Sequence, residues 1–567
     1  MQAKRRAIRF FLNAPRAFAA RFPVLGASLL LTAPFVLARS AHAAPGQGVA
    51  PAAAATKPAA SAPAAGSAPA PDPAIVSLER FGQGIERLTL ENGLRLVLAP
   101  DSSAKTVAVS VTYGVGSRDE GPGQSGFAHL FEHMMFQGSE HVAKGQHFTF
   151  ISERGGSLNG TTSADRTNYF EVLPSSELPL AMWLEADRMR ALAVNADNFE
   201  NQRAVVKEEY RMRYENAAYM TGMMRLGELV YAEYPPYTRS TIGSMQDLDA
   251  AKLEWVKTFY DSHYAPKNAV LTVTGDFDRD EAVKLARQYF GGISKPVPAR
   301  APLPEMPTQV TPRKDVVKDT NAKTPGFYFG FLIPASRTPE HYALELATSL
   351  LADGDSSRLE RLLVRDRAVA QQVSAGTHDY VGPDELIISA VLTETAKLPA
   401  VEKLVEAEIE KLAKTPPPAA ELAKVKRRVR SSFVFGLQTN LNRATQLGQY
   451  ESYFGDARLL ARELQHYQAV TAEDIQKAVK KYLGAERRQL VEVLPVDAPP
   501  AAAPPTAPAA AAPAKSPAAA ATPAPGKPTA AAPAPAGAPA KPAASPATPP
   551  KPTTPTPPAS APQGGKP

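Results

Sequence analysis

Proline and alanine decide how much of this chain can fold. Of its 567 residues, 55 are proline, and many of these crowd into residues 44–74 and 498–567. In both stretches nearly every residue is Ala, Pro, Thr, Ser or Gly. Proline fixes φ and removes a backbone donor. Alanine offers too little apolar area to build a core. Such segments stay extended and partly polyproline II. Residues 44–74 therefore read as a linker and residues 498–567 as a disordered tail. The tail carries five lysines and no acid, so it is a spacer with a faint positive charge. About 420 residues of mixed composition remain between them, enough for two or three domains.

Residues 1–43 read as an export signal. MQAKRRAIRF is basic, VLGASLLLTAPFVLA is apolar, and an Ala-x-Ala pattern at Ala41 and Ala43 ends it. The apolar run has 15 residues and contains Pro34, which is short and interrupted for a membrane span. No stable span is expected after cleavage, and the expected location is a bacterial periplasm, with secretion or an uncleaved signal anchor as the alternatives. There is no cysteine, which excludes disulfides, thiolate metal sites and a thiol nucleophile. Any metal must be held by His, Asp or Glu. The net charge of +7 is spread out, without a Lys/Arg run interleaved with aromatics, so no nucleic-acid partner is expected.

Between the tails, strands and helices alternate. ERLTLENGLRLVLAP has two alternating runs around Asn92-Gly93, a hairpin signal. TVAVSVTYGVGS reads as a strand, and GGSLNGTTSADRTNYFEVLP as two strands with a turn. ELPLAMWLEADRMRAL and NFENQRAVVKEEYRMRYENA read as long helices. A Pro-rich stretch, 295–312, interrupts the rhythm, which then restarts. The expected fold is α+β, in two halves of similar size and element order, 75–294 and 313–497. No residue-level repeat accompanies that pattern.

The chemistry gathers in HLFEHMMF, residues 129–136. Residues i and i+4 of a helix share a face, and i+3 lies beside them. His129 and His133 can therefore point two imidazoles at one ion, with Glu132 next to them. Zinc takes such a pair but needs a third protein ligand and an open position. This is the HExxH pattern written backwards, with Glu132 as candidate general base. His141 and His147, just past the helix, read as loop residues. Met134-Met135 reads as core, and Trp183 and Trp255 as packing.

HLFEH, GGSLNGTTSADRTNYF and ENQRAVVKEEYRMRYEN together resemble the inverzincin metallopeptidases, the family of pitrilysin, insulysin and mitochondrial processing peptidase. The resemblance spans about residues 80–495, more closely in the first half. It implies two homologous α/β-sandwich halves, a sheet packed with helices in each. It also implies that chains pair to close a chamber around an unfolded peptide. The third zinc ligand it implies is a glutamate in VVKEEY. Glu208 and Glu209 both stand there, and each has an arginine partner in helical register, Arg211 and Arg213. The family's spacing from the second histidine selects Glu209. The resemblance further implies one Zn2+ per chain on His129, His133 and Glu209, with Glu132 as the base in hydrolysis of short or unfolded peptides. Many relatives carry a glutamate where this chain has Gln202, whose amide is expected to orient a ligand. The segment GSLNGTTS resembles the family's substrate-pairing edge strand, which makes Asn159 and Thr161 candidate contacts to a peptide backbone. Asn159-Gly160 is also a good turn dipeptide.

Active relatives use an Arg and a Tyr from the second half. DELIISAVLTE has neither, although His378 and Tyr380 lie nearby. The chain is accordingly expected to pair either with an unlike family member lacking HxxEH or with itself. The competing function is a non-catalytic metal-binding or assembly subunit of an envelope complex.

Overall fold

The structure is a computed structural model that describes residues 75–80 and 84–496. The signal, linker and tail assigned from sequence lie outside these residues. Twelve strands are present among them. In the first half these are β1 (Ile75–Arg80), β2 (Glu86–Leu90), β3 (Arg95–Pro100), β4 (Thr106–Tyr113), β5 (Ser157–Thr162), β6 (Thr167–Pro174) and β7 (Ala269–Gly275). The second half holds β8 (Arg313–Asp319), β9 (Gly326–Ile333), β10 (Ala370–Gly376), β11 (Asp384–Leu392) and β12 (Gln489–Pro495).

They form two sheets, ordered β1-β2-β3-β7-β4-β6-β5 and β10-β11-β9-β12-β8. Read from the β5 end, the first five strands of one sheet match the other strand for strand. β5, β6, β4, β7 and β3 correspond to β10, β11, β9, β12 and β8. Even the parallel pairing recurs in place, β3 with β7 and β8 with β12. The two-half α+β architecture expected from the element rhythm is therefore present, and β1 and β2 extend only the first sheet.

Each element has a local cause. Gly93 takes φ +86° in the turn between β2 and β3, as the Asn-Gly signal requires. β4 and β7 are buried along almost their whole length, because helices cover both faces of the sheet. Residues 295–312 form neither helix nor strand, yet they are anchored: Arg300 pairs with Asp119 at 2.5 Å and donates to the Asp165 carbonyl at 3.1 Å.

The halves are interlocked. The helix Asn440–Phe454, from the second half of the sequence, lies over β3, β4, β6 and β7 of the first sheet. The helix Met220–Val230, from the first half, lies over β8, β9 and β12 of the second. Each sheet thus buries its second face under a helix lent by the other half. The two contact cores differ in size. Leu226, Leu229, Val230 and Tyr231 join Leu332, Val491 and Val493 in one. Leu447, Ala457 and Leu460 join Val97, Ala99 and Val270 in the other.

Close approach in that second core depends on Gly448. A Cβ there would stand 2.8 Å from Thr112 Oγ1 and 3.0 Å from Thr272 Oγ1. Gly448→Leu is expected to wedge the helix off the sheet and destabilise the chain by about 1–3 kcal/mol. A lower urea midpoint at unchanged slope would report it.

Candidate active site

The motif helix, Phe127–Met134, begins where Gly126 takes φ +98°. A side chain there would meet the Ile242 carbonyl at 2.9 Å, so glycine is required. Glu120 caps the helix from the preceding loop. Its two oxygens accept from the N–H of Gly126 (3.0 Å) and Ala128 (2.9 Å). Phe127, Leu130, Phe131 and Met134 are buried in the core, which turns His129, Glu132 and His133 toward the neighbouring helix and β5. Met134 and Met135 are core residues, as their pairing suggested.

The neighbouring helix, Ala196–Tyr210, starts with Asn195 accepting from the Asn198 N–H at 2.9 Å. It carries Glu209 to the motif. Glu209 Oε2 lies 3.1 Å from His133 Nε2 and 3.8 Å from His129 Nε2. One ligating atom from each of the three residues falls within 4.8 Å of the others. Glu208 points elsewhere: its side chain is 60 % exposed and paired with Arg211 at 3.0 Å. The chain then changes to a π-helical turn, Arg211–Glu215, and Arg213 reaches back to Glu209 Oε1 at 2.7 Å.

The electrostatics suit a cation. Burial pushes the His129 imidazole down to about 3, so it stays neutral with a lone pair to offer. Burial alone would raise Glu209, but the hydrogen bond from His133, with the charge of Arg213 nearby, holds it at about 2. Two imidazoles and one carboxylate at this separation form a donor set that fits zinc. Burial raises the Glu132 carboxyl above its ordinary value, and a hydrogen bond from Thr162 works against that rise.

β5 is an edge strand with its outer side free among the described residues. Asn159-Gly160 lies inside it, and the turn to β6 falls at residues 163–166, so the dipeptide does not make the turn. Strand alternation sets which residues face the motif. Thr162 Oγ1 donates to Glu132 Oε2 at 2.6 Å. A Cβ on Gly160 would lie 2.9 Å from Glu132 Cγ. Asn159 and Thr161 have the opposite parity. The Thr161 hydroxyl bonds with Asn168 and accepts from Arg166 Nη1 at 2.7 Å. What these two can offer a peptide is backbone. Thr162, the residue on the base, is not among the candidates the motif offers, although its even spacing from Gly160 is readable in the sequence.

Two further expectations are corrected. Gln202 is buried two turns before Glu209, but its amide donates to Asn201 Oδ1 at 2.7 Å and to none of the three ligand candidates. Two turns span about 11 Å, too far for an amide to reach the carboxylate end of its own helix. His147 is not in a loop. It sits in the helix Gln146–Ser152, 3 % exposed, with Nε2 at 3.1 Å from Glu171 Oε1. Glu185 completes that buried group, but Arg188 Nε donates to Glu185 Oε2 at 3.0 Å and supplies the positive charge an ion would. His141 forms a third group with Glu140 and Asp187, where Asp187 is already occupied by Ser139 Oγ (2.6 Å) and His141 Nδ1 (2.6 Å). Among the described residues, the His129 group is the one such group with two imidazoles, and Glu132 stands beside it.

Known proteins share both the sequence and the fold. Residues 95–227 match the insulinase family, peptidase family M16, and residues 251–429 match the peptidase M16 inactive domain. The second match begins beyond all four site residues. The zinc protease PqqE of Helicobacter pylori is 31 % identical over 370 residues, 64 % of this chain and 83 % of that protein. A crystal structure of a protease from Helicobacter pylori superposes with a TM-score of 0.69 at 29 % identity, covering 72 % of this chain and 99 % of that one. The first half of the periplasmic protease PqqL from Escherichia coli shares the fold, with a TM-score of 0.59 at 18 % identity over 74 % and 93 % of the two chains. With the backward motif on a helix, a glutamate from a second helix beside it and these likenesses over both halves, the chain belongs to the M16 family of zinc-protease-like proteins.

Proposed function

We propose that the chain is a zinc-dependent metalloendopeptidase that hydrolyses short or unfolded peptides. The observation that carries this is the convergence of His129, His133 and Glu209 beside a separately held Glu132. A purely metal-binding role would not need Glu132 restrained next to the donor set. The match to zinc proteases supports the same reading.

His129, His133 and Glu209 would hold the ion, whose Lewis acidity activates water and polarises a carbonyl. Glu132 accepts the proton of the attacking water and later delivers it to the leaving nitrogen. Its raised carboxyl pKa brings it closer to a working range in which both transfers are feasible. Thr162 occupies Oε2, which leaves Oε1 for the water. The open edge of β5 accepts an extended peptide through backbone hydrogen bonds, which demands little of its sequence.

The chain works as a dimer, with itself or with an unlike relative that lacks HxxEH. His378 and Tyr380 do not make up for the missing Arg and Tyr. Their rings stack on each other, and Tyr380 packs against Tyr231 and Tyr237 in the interior. The site of action is the periplasm. Among the described residues no helix is long and apolar enough to cross a membrane, and residues 1–43 carry the export pattern.

Residues 44–567, purified and zinc-loaded, should cleave a mixed quenched-peptide library. A chelator should abolish the cleavage and added zinc should restore it. No cleavage by this preparation alone, but cleavage after adding an unlike family chain, assigns the enzyme to the heterodimeric form. Cleavage indifferent to chelation would sink the metallopeptidase reading.

A further inference from the structure

A general base must stay within hydrogen-bond reach of the proton it takes. Glu132 is a long side chain with several rotatable bonds, so its helix alone does not fix its carboxylate. One hydrogen bond does: Thr162 Oγ1 donates to Glu132 Oε2 at 2.6 Å. Threonine is β-branched and stiff at χ1, so this donor is placed by its strand rather than by its own flexibility. Where the strand stands therefore decides where the base stands.

The strand end is not held by its own half alone. Thr162 is the last residue of β5, and the turn that follows is gripped from the second half. Ser163 Oγ and Tyr453 OH share a hydrogen bond of 3.1 Å. Arg166 Nε donates to Gln449 Oε1 at 3.2 Å. Asp165, fully buried, accepts from the Val381 N–H at 2.9 Å and pairs with Arg118 at 2.7 Å. Tyr453 and Gln449 lie on the helix that the second half lends to the first sheet.

We propose that Thr162 is the positioning residue of Glu132, and that the second half, by gripping the adjoining turn, sets where Thr162 stands. This gives the half without metal ligands a part in positioning the base. It rests on the peptidase reading, but its test does not depend on turnover alone.

Three variants of zinc-loaded 44–567 separate the possibilities. Thr162→Val keeps the shape and removes the donor. Thr162→Ser keeps the donor. The double variant Gln449→Ala/Tyr453→Phe removes two ties to the turn and leaves Thr162 intact. Thr162→Val should lower kcat by about tenfold to a hundredfold, as misplacing a reacting group by an ångström does. KM and zinc content should not change, and crystals should place the Glu132 carboxylate away from its wild-type position. Thr162→Ser should recover most of kcat, and the double variant should fall between. Wild-type kcat with an unmoved carboxylate in Thr162→Val overturns the proposal, and so does a loss of zinc that parallels the loss of kcat. Wild-type behaviour of the double variant removes the helix Asn440–Phe454 from it. If the wild type cleaves nothing, alone or with an unlike family chain added, the peptidase reading fails, and the carboxylate position in the wild-type and Thr162→Val crystals still decides the role of Thr162.

Discussion

Glu132→Gln is expected to bind zinc as the wild type does and to lower kcat by roughly a hundred- to ten-thousandfold, the usual contribution of a positioned general base. Glutamine keeps the length and an oxygen for the Thr162 hydroxyl, so the fold around it should not move. It cannot accept the proton. The ligand candidates His129, His133 and Glu209 are untouched, so metal content should be unchanged. Metal analysis and peptide turnover on one preparation check both halves of the expectation. Turnover at the wild-type rate in a zinc-replete Glu132→Gln protein would remove Glu132 from the mechanism.

The second large effect is on the metal itself. His133→Ala and Glu209→Gln should each weaken zinc binding by more than the roughly 10- to 100-fold typical of losing an outer hydrogen-bond partner. Activity should fall with occupancy. Glu209→Gln also leaves Arg213 without the carboxylate it reaches at 2.7 Å, so that arginine would repel an ion at the site. Glu208→Gln is the matched control. Its carboxylate is exposed and turned toward Arg211, so zinc affinity should stay within experimental error of the wild type. Competition titration against a chromophoric chelator would measure all three. Equal losses for Glu208→Gln and Glu209→Gln would mean that the helix holds neither as a ligand.

Local geometry made much of this molecule legible. The i, i+3, i+4 spacing of His129, Glu132 and His133 places them on one arc of any helix, whatever surrounds it. The alternating runs at 86–100 and 157–174 became hairpins, because alternation and turn chemistry act over a few residues. The order of strands and helices in each half announced an α+β architecture, and the sheets carry it.

What eluded sequence reading depends on contacts between distant segments. AVAQQVSAG lacks a clear apolar alternation, and β10 becomes a strand there by pairing with β11. His147 looked like a loop residue because nothing nearby in sequence reveals Glu171 and Arg188 around it. Gln202 looked like a ligand support by analogy, but its buried amide found a nearer partner in Asn201.

The sequence by itself determined that the chain builds two α+β halves, and that one helix offers two imidazoles and a carboxylate on a single face. These follow from chain stiffness, hydrophobic spacing and helical pitch, which act within a few turns of backbone. The family's spacing selects Glu209 over Glu208 without the structure, but only the tertiary structure decided that Thr162 rather than Thr161 meets the base, and that each half covers the other's sheet. In each case the alternatives are one residue apart or hundreds of residues apart. Local propensity treats them alike, and only the packing of whole elements against one another separates them.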